Sequence, residues 1–167
     1  MTAPGGLAIR RYRAADAGPA AALFFRAVRE GAARAYSPAQ CAAWAPAVPE
    51  TARWHERMAG GISLVATRGG RLAGFMTLSR IGAAGPGSAH LDLAFVAPEE
   101  MGQGTAGALH EALLAEARAA GISRLTTEAS RQARPFLARR GWQVLREQVA
   151  VRAGVSLPNT VMALALG

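Results

Sequence analysis

The sequence predicts an α/β (α+β) fold, with a mixed, mostly antiparallel central sheet of about seven strands flanked by helices. Three observations carry that expectation. Short apolar runs of strand length are interspersed with helical apolar stripes along the whole chain. The strands come unevenly: one, then helices, then three in succession, then one between two helices, then a terminal pair. A glycine turn precedes the longest helix in mid-chain, whereas a doubly wound parallel sheet normally carries it after the first strand.

Leu7 to Tyr12 (LAIRRY) reads as the first strand. Asp16 is placed to cap a helix with Pro19 in its first turn, and Leu23, Phe24, Ala27 and Val28 give it an apolar face through about Glu30. Ser37-Pro38 opens a short second helix toward Trp44, stopped by Pro46 and Pro49. Thr51 is expected to cap a third, ending at Gly60-Gly61. Ile62 to Arg68 and Leu72 to Ser79 flank Gly69-Gly70 as a hairpin. Ile81 to Ser88 reads as a loop and Ala89 to Val96 as the next strand. Thr105 to Ala120 is the longest helix, with Leu109, Leu113 and Ala117 on one stripe and Gly121 past its end. Arg124 to Glu128 is a strand, Ser130 caps a helix to about Arg140, and Trp142 to Arg152 with Ser156 to Leu166 form a last hairpin around Ala153-Gly154. No repeat, linker or low-complexity block divides the chain, so residues 1–167 are expected to form one domain.

A chain of 167 residues can bury a core without disulfides or metals, and 51% apolar against 18% charged residues excludes a disordered chain. The net charge is +8, carried by arginine with no lysine. Codon bias explains the absent lysine; affinity for a polyanion such as a nucleotide cofactor or nucleic acid is the functional reading of the charge. Outside Arg10-Arg11-x-Arg13 and the stretch from Arg131 to Arg140 the arginines are scattered, and aromatics are 6% of the chain. Nucleic-acid proteins concentrate their arginines and interleave aromatics, so no nucleic-acid partner is expected. The single cysteine, Cys41, leaves no internal disulfide and no cysteine metal cluster, and it reads as a packed small residue. Met1 to Gly6 lacks a basic region followed by an apolar run, and no apolar stretch is long enough for a bilayer span. A soluble cytoplasmic protein with no membrane partner is the expectation.

Leu91 to Ala120 is the most informative stretch: a buried strand, a glycine turn, and a helix whose first turn is almost free of side chains. The uncovered N–H groups at such a helix start bind phosphate or pyrophosphate without a basic residue. Gly102-x-Gly104-x-x-Gly107, with Glu128 about twenty residues further on, also fits a dinucleotide fingerprint, although the strand order opposes it. A tight connection with no ligand is the third reading of the same residues.

Phe95-Val96-Ala97-Pro98 followed by Met101-Gly102-Gln103-Gly104-Thr105-Ala106 resembles the cofactor motif of the GNAT N-acetyltransferase superfamily. Ala133-x-x-Phe136-Leu137-x-x-x-Gly141-Trp142 looks like that family's later Ala-x-x-Phe-Tyr-x-x-x-Gly-Phe segment. Tyr36-Ser37-Pro38-x-Gln40-x-x-x-Trp44 is similar to a segment of a bacterial subgroup called YafP-like. Two positions depart from the pattern. Met101 stands where Gln or Arg is usual, and Leu137 where a tyrosine often protonates the leaving thiolate.

The resemblance implies an acetyl-CoA-dependent N-acetyltransferase working by direct transfer to a primary amine of a small metabolite. The alternative is a noncatalytic acyl-CoA-binding module. Gly102 to Ala106 would hold the pyrophosphate, with Phe95 and Val96 along the pantetheine and the Val96 amide at the thioester carbonyl. Ser130 falls near the pantetheine, although a helix cap is an equal reading, and Phe136 lies on the cofactor side. Glu99 and Glu100 read as solvated turn residues. His90, Asp92, Ala94 and Val96 share one strand face by alternation, making Asp92 and then His90 candidate bases for the acceptor ammonium. Tyr36 and Trp44 lie in helices that form one wall of the acceptor site in the family; such aromatics are more often core, and where exposed they favour a ring-bearing or apolar acceptor. Trp54 belongs to the same helices, and His55 and His110 read as solvated-face residues. No metal is expected, and the final hairpin is a candidate homodimer contact.

Overall fold

The apolar runs form one eight-stranded sheet in the computed structural model, which describes residues 2–3, 6–80 and 85–167. The strands are β1 (Thr2–Ala3), β2 (Leu7–Arg11), β3 (Ile62–Arg68), β4 (Arg71–Ser79), β5 (Ser88–Val96), β6 (Arg124–Ala129), β7 (Gln143–Arg152) and β8 (Val155–Ala165). Their order across the sheet is β1-β2-β3-β4-β5-β6-β8-β7. Seven are the expected strands; the two-residue β1 adds an edge beside β2. Part of the expected loop from Ile81 to Ser88 lies outside the described residues, as do Met1, Pro4 and Gly5.

Local chemistry sets most boundaries. Gly69 and Gly70 both take positive φ, +59° and +78°, as a two-residue hairpin turn requires. Ala153 at φ 49° and Gly154 at φ 76° do the same between β7 and β8. The helices are α1 (Ala17–Arg29), α2 (Pro38–Trp44), α3 (Thr51–Ala59), α4 (Thr105–Ala119) and α5 (Ala133–Ala138). Ser37 and Gln40 close a reciprocal capping box on α2. Two expected caps differ. Asp16 does not cap α1; its carboxylate takes both Arg10 guanidinium nitrogens at 2.8 Å and the Arg13 N–H at 2.9 Å. Thr51 is the first residue of α3, and Glu50 precedes it without a side-chain cap bond.

Two apolar layers enclose the sheet. Leu109, Leu113 and Ala117 of α4 pack with Leu91, Leu125, Leu137 and Trp142 on one face. On the other, α1, α2 and α3 bury Phe24, Val28, Cys41, Trp54 and Met58 against Val65, Phe75 and Leu93. Among the described residues no helix is long and apolar enough to cross a membrane.

Two irregularities at mid-sheet position the site. The only parallel pair among the described residues, β5 with β6, ends at Leu91 opposite Thr127. Beyond it β5 stays with β4 as far as Val96, while β6 stays with β8 as far as Ala129, so the strands part. Between Leu91 and Leu93 the β4–β5 register also slips, Thr77 facing Leu93 and Leu78 facing Leu91. Asp92 is the extra residue of this bulge.

The slip corrects the alternation expected for β5. Leu91 packs in the α4 layer, whereas Leu93, two residues on, packs in the opposite one. Ala94 joins the α4 layer, and Asp92 is held by Arg57 of α3, so His90, Asp92, Ala94 and Val96 do not share a face. Strict period-two reasoning fails because one inserted residue reverses the side chains that follow it.

Candidate active site

The parted strands open a cleft of about 670 Å³, within the size range of small-molecule sites. It runs from the α4 turn and α5 on one side to α1, α2 and β8 on the other.

At the α4 end, Pro98–Glu100 form a 3-10 turn and Gly102 and Gly104 take φ +78° and +82°. A side chain built at either glycine would meet open space, so none of the described residues fills the cradle. The Met101 and Gln103 amides are already bonded to the Pro98 and Glu100 carbonyls. Among the described residues, the amides of Gly102 and of Gly104 to Gly107 have no acceptor in the chain, and the last four head α4. The expected run from Gly102 to Ala106 is thereby corrected at Gln103, whose N–H is spent, and extended to Gly107. Thr105 turns its hydroxyl inward to Glu100 Oε1 at 2.6 Å, which leaves only its amide for a ligand.

Glu100 is not a solvated turn residue. It is 9% exposed and receives Arg68 Nε at 3.1 Å as well as the Thr105 hydroxyl, so it clamps the turn to β3. Glu99 is partly exposed and pairs with Arg26 at 2.6 Å. Met101 is exposed, and its sulfur reaches Gln132 Nε2 at 3.7 Å beside Gly31. Gln132 in turn donates to the Gly31 carbonyl at 3.0 Å, so these side chains span the cleft between its two walls.

Along the cleft, the Ala97 N–H donates to Ala73 of β4 at 2.8 Å. Strand amides alternate in direction, so the Val96 N–H points to the opposite, open edge. Phe95 lies among Phe24, Trp44 and Phe75 with ring centroids 5.0 to 6.1 Å away. On the α5 side, Ser130 Oγ accepts the Ala133 N–H at 3.1 Å, which is the capping role. Phe136 lines the cleft and carries the Arg140 guanidinium 4.0 Å above its ring. Arg140 also lies across the first turn of α4, where a Cβ at Gly107 would sit 2.6 Å from its Nη2. Sequence reasoning missed this cation; the side-chain-free Gly107 was its only trace.

At the other end, Asp92 is held by Arg57 in a two-pronged pair at 2.8 and 2.9 Å. His90 Nδ1 lies 3.0 Å from Thr126 Oγ1. Tyr36 is 5% exposed; its hydroxyl donates to the Pro158 carbonyl at 2.8 Å and accepts the Arg131 N–H at 3.0 Å. It therefore ties the helical layer to β8 and to the start of α5. Trp44 is partly exposed, lines the cleft, and meets Tyr36 edge-on at 5.6 Å. Trp54 is core, His55 Nδ1 lies 2.7 Å from the Tyr12 hydroxyl, and Cys41 is buried as expected.

His110 departs most from expectation. It is 3% exposed, and Trp142 Nε1–H donates to its Nε2 at 3.0 Å. Burial, and then the Arg140 charge, push its pKa down to about 4, so the ring is neutral with its proton on Nδ1. Leu137 is core and lines the cleft without supplying a proton donor. No group of His, Cys, Asp and Glu suited to a metal ion occurs among the described residues.

An Acetyltransferase (GNAT) domain model matches residues 32–164. The chain is 34% identical over 154 residues to the Uncharacterized N-acetyltransferase YafP of Escherichia coli (strain K12), covering 92% of this chain and 93% of that protein. The GCN5-related N-acetyltransferase structure from Rhodopseudomonas palustris superposes with a TM-score of 0.84 at 33% identity, covering 95% of each chain. The Salmonella typhimurium protein yncA, solved with acetyl-CoA, shares the fold with a TM-score of 0.74 at 20% identity, over 97% of this chain and 95% of that one. The chain belongs to the GNAT family of acetyltransferases.

Proposed function

We propose that this acetyltransferase moves an acetyl group from acetyl-CoA to a primary amine of a small metabolite, both bound together in the cleft. The observation that carries the reading is the parting of β5 and β6 directly onto the bare N-terminus of α4. The residues present fit the donor. The side-chain-free turn at Gly102 and Gly104 and the free amides through Gly107 suit a pyrophosphate, with the helix dipole in support. The Arg140 guanidinium beside that turn adds a positive charge where phosphates would lie. Phe95, Val96, Ser130 and Phe136 flank the path of the pantetheine, and the outward Val96 N–H suits a developing oxyanion. Met101 and Gln103 would contribute side chains rather than amides. Acetyl-CoA, when bound, supplies a thioester whose thiolate leaves without a dedicated acid, thiol pKa values being about 8–9. A leucine at position 137 is therefore compatible with turnover.

The sequence nominates Asp92 and His90 as bases; in the fold Arg57 engages both Asp92 oxygens and His90 Nδ1 meets Thr126 Oγ1. Tyr36 and Trp44 line the acceptor half, where Trp44 with Phe95 favours an acceptor with a ring or apolar body. We read the enzyme as cytoplasmic, as expected from its sequence. A panel of primary amines assayed for released CoA thiol tests the reading. Turnover with at least one ring-bearing amine is expected; tight acetyl-CoA binding without turnover on any amine would favour a noncatalytic acyl-CoA-binding module instead.

A further inference from the structure

We infer that Glu128 is the base that deprotonates the acceptor, and that the acceptor is an arylalkyl ammonium; this rests on the acetyltransferase reading above. Leu91 and Thr127 are the last facing residues of β5 and β6, so Asp92 and Glu128 are the first residues past the apex of the parting, one on each lip. Two carboxylates thus stand at the same level of the cleft, and their surroundings differ. Both Asp92 oxygens are occupied by Arg57. Glu128 is exposed, lines the cleft, and has no hydrogen bond or ion pair among the described residues.

Strand alternation gives its side. Leu125 and Ala129 pack in the α4 layer and the Thr127 hydroxyl turns to the Leu91 carbonyl, so Thr126 and Glu128 face the other way, toward the α1–α3 side. Glu128 is opposite Val161 of β8. Val161 shares its strand face with Leu157, which packs against the α1–α3 layer. The other charged and titratable groups lining this half of the cleft are Tyr36 ahead of α2, His90 and Asp92 of β5, Arg57 of α3 and Arg152 of β7. Arg57 is neutralised by Asp92, and the His90 ring is turned to Thr126, so Glu128 is the free carboxylate there. Phe24, Trp44 and Phe95 supply the apolar wall that a ring on the acceptor would meet.

The amine reaches the site as R–NH3+. Glu128 takes one proton through water in the cleft, and the electron pair of that N–H bond stays on nitrogen. The amine then forms its N–C bond to the acetyl carbon as the C–S bond breaks. Sulfur keeps the C–S pair and receives the amine's second leaving proton, while Glu128 returns the first to water.

The test uses the full chain with 2-phenylethylamine, against n-propylamine as the ring-free control. Glu128→Gln, at an exposed position, is expected to lower kcat/KM for 2-phenylethylamine about 100-fold or more. It should also remove the acid limb of the pH–rate profile and weaken calorimetric binding of the amine. The KM for acetyl-CoA should stay unchanged, and Glu128→Asp should recover part of the rate. If Glu128→Gln keeps its acid limb and loses less than about threefold, the assignment of the base is overturned. Equal kcat/KM for the two amines overturns the arylalkyl class. A wild-type enzyme that binds acetyl-CoA but acetylates no amine overturns the acetyltransferase reading itself, a different outcome from the first two.

Discussion

His110 shows at the scale of one residue how surroundings decide chemistry. Buried against Trp142 and Phe136, it is neutral in the folded chain, with its pKa near 4 against 6.5 for an exposed ring. Between those values the unfolded chain binds the extra proton and the folded chain does not. Its contribution to stability is therefore complete above about pH 6.5 and is lost as pH falls through about 4. The amount is on the order of 3 kcal/mol. Urea unfolding across that range should show the loss in the wild type and a flatter profile in His110→Gln, whose side-chain oxygen can still accept from Trp142. Equal slopes would contradict the assignment. The sequence did not disclose this burial. His110 follows Leu109 at the margin of the α4 stripe, and only Trp142, far along the chain, makes that margin interior. Glu100 was hidden in the same way, because Arg68 and Thr105 that bury it come from different elements.

At the scale of elements, what was legible follows short-range rules. The Gly69-Gly70 and Ala153-Gly154 turns and the Ser37-Pro38 start of α2 are set by residues within a few positions of one another, and all three formed. The bulge at Asp92 was not legible, since it lies in the register between β5 and β4 and leaves no mark in the β5 sequence. The candidate site divided along the same line. The glycine turn was readable locally, whereas the cation above it, Arg140, arrives from the turn after α5. That arrangement predicts the outcome of Gly107→Ala. Alanine favours a helix over glycine by about 1 kcal/mol, so α4 should hold. The new Cβ would displace the Arg140 guanidinium from the α4 turn. Thermal stability should therefore stay the same or rise while acetyl-CoA affinity falls, on the order of tenfold for one charge-assisted hydrogen bond. Unchanged affinity would remove Arg140 from the phosphate site.

Across the whole molecule, the positive charge is dispersed rather than gathered into a stripe. Arg10, Arg11, Arg26, Arg53, Arg57, Arg68, Arg71 and Arg134 each pair with an Asp or Glu, whereas Arg140 beside the α4 turn has no acidic partner among the described residues. The fold supplies the remainder by failing to close at one place: a sheet continuous from β1 to β7 opens between β5 and β6, above a helix start that none of the described residues covers. Isothermal titration of the full chain with acetyl-CoA, beside Gly104→Val, tests this most directly. One molecule bound per chain, with the heat abolished by a side chain that strains the φ of +82° and fills the cradle, is the predicted result. No heat from the wild type, or undiminished binding by the variant, would contradict the claim that these amides hold the donor's phosphates.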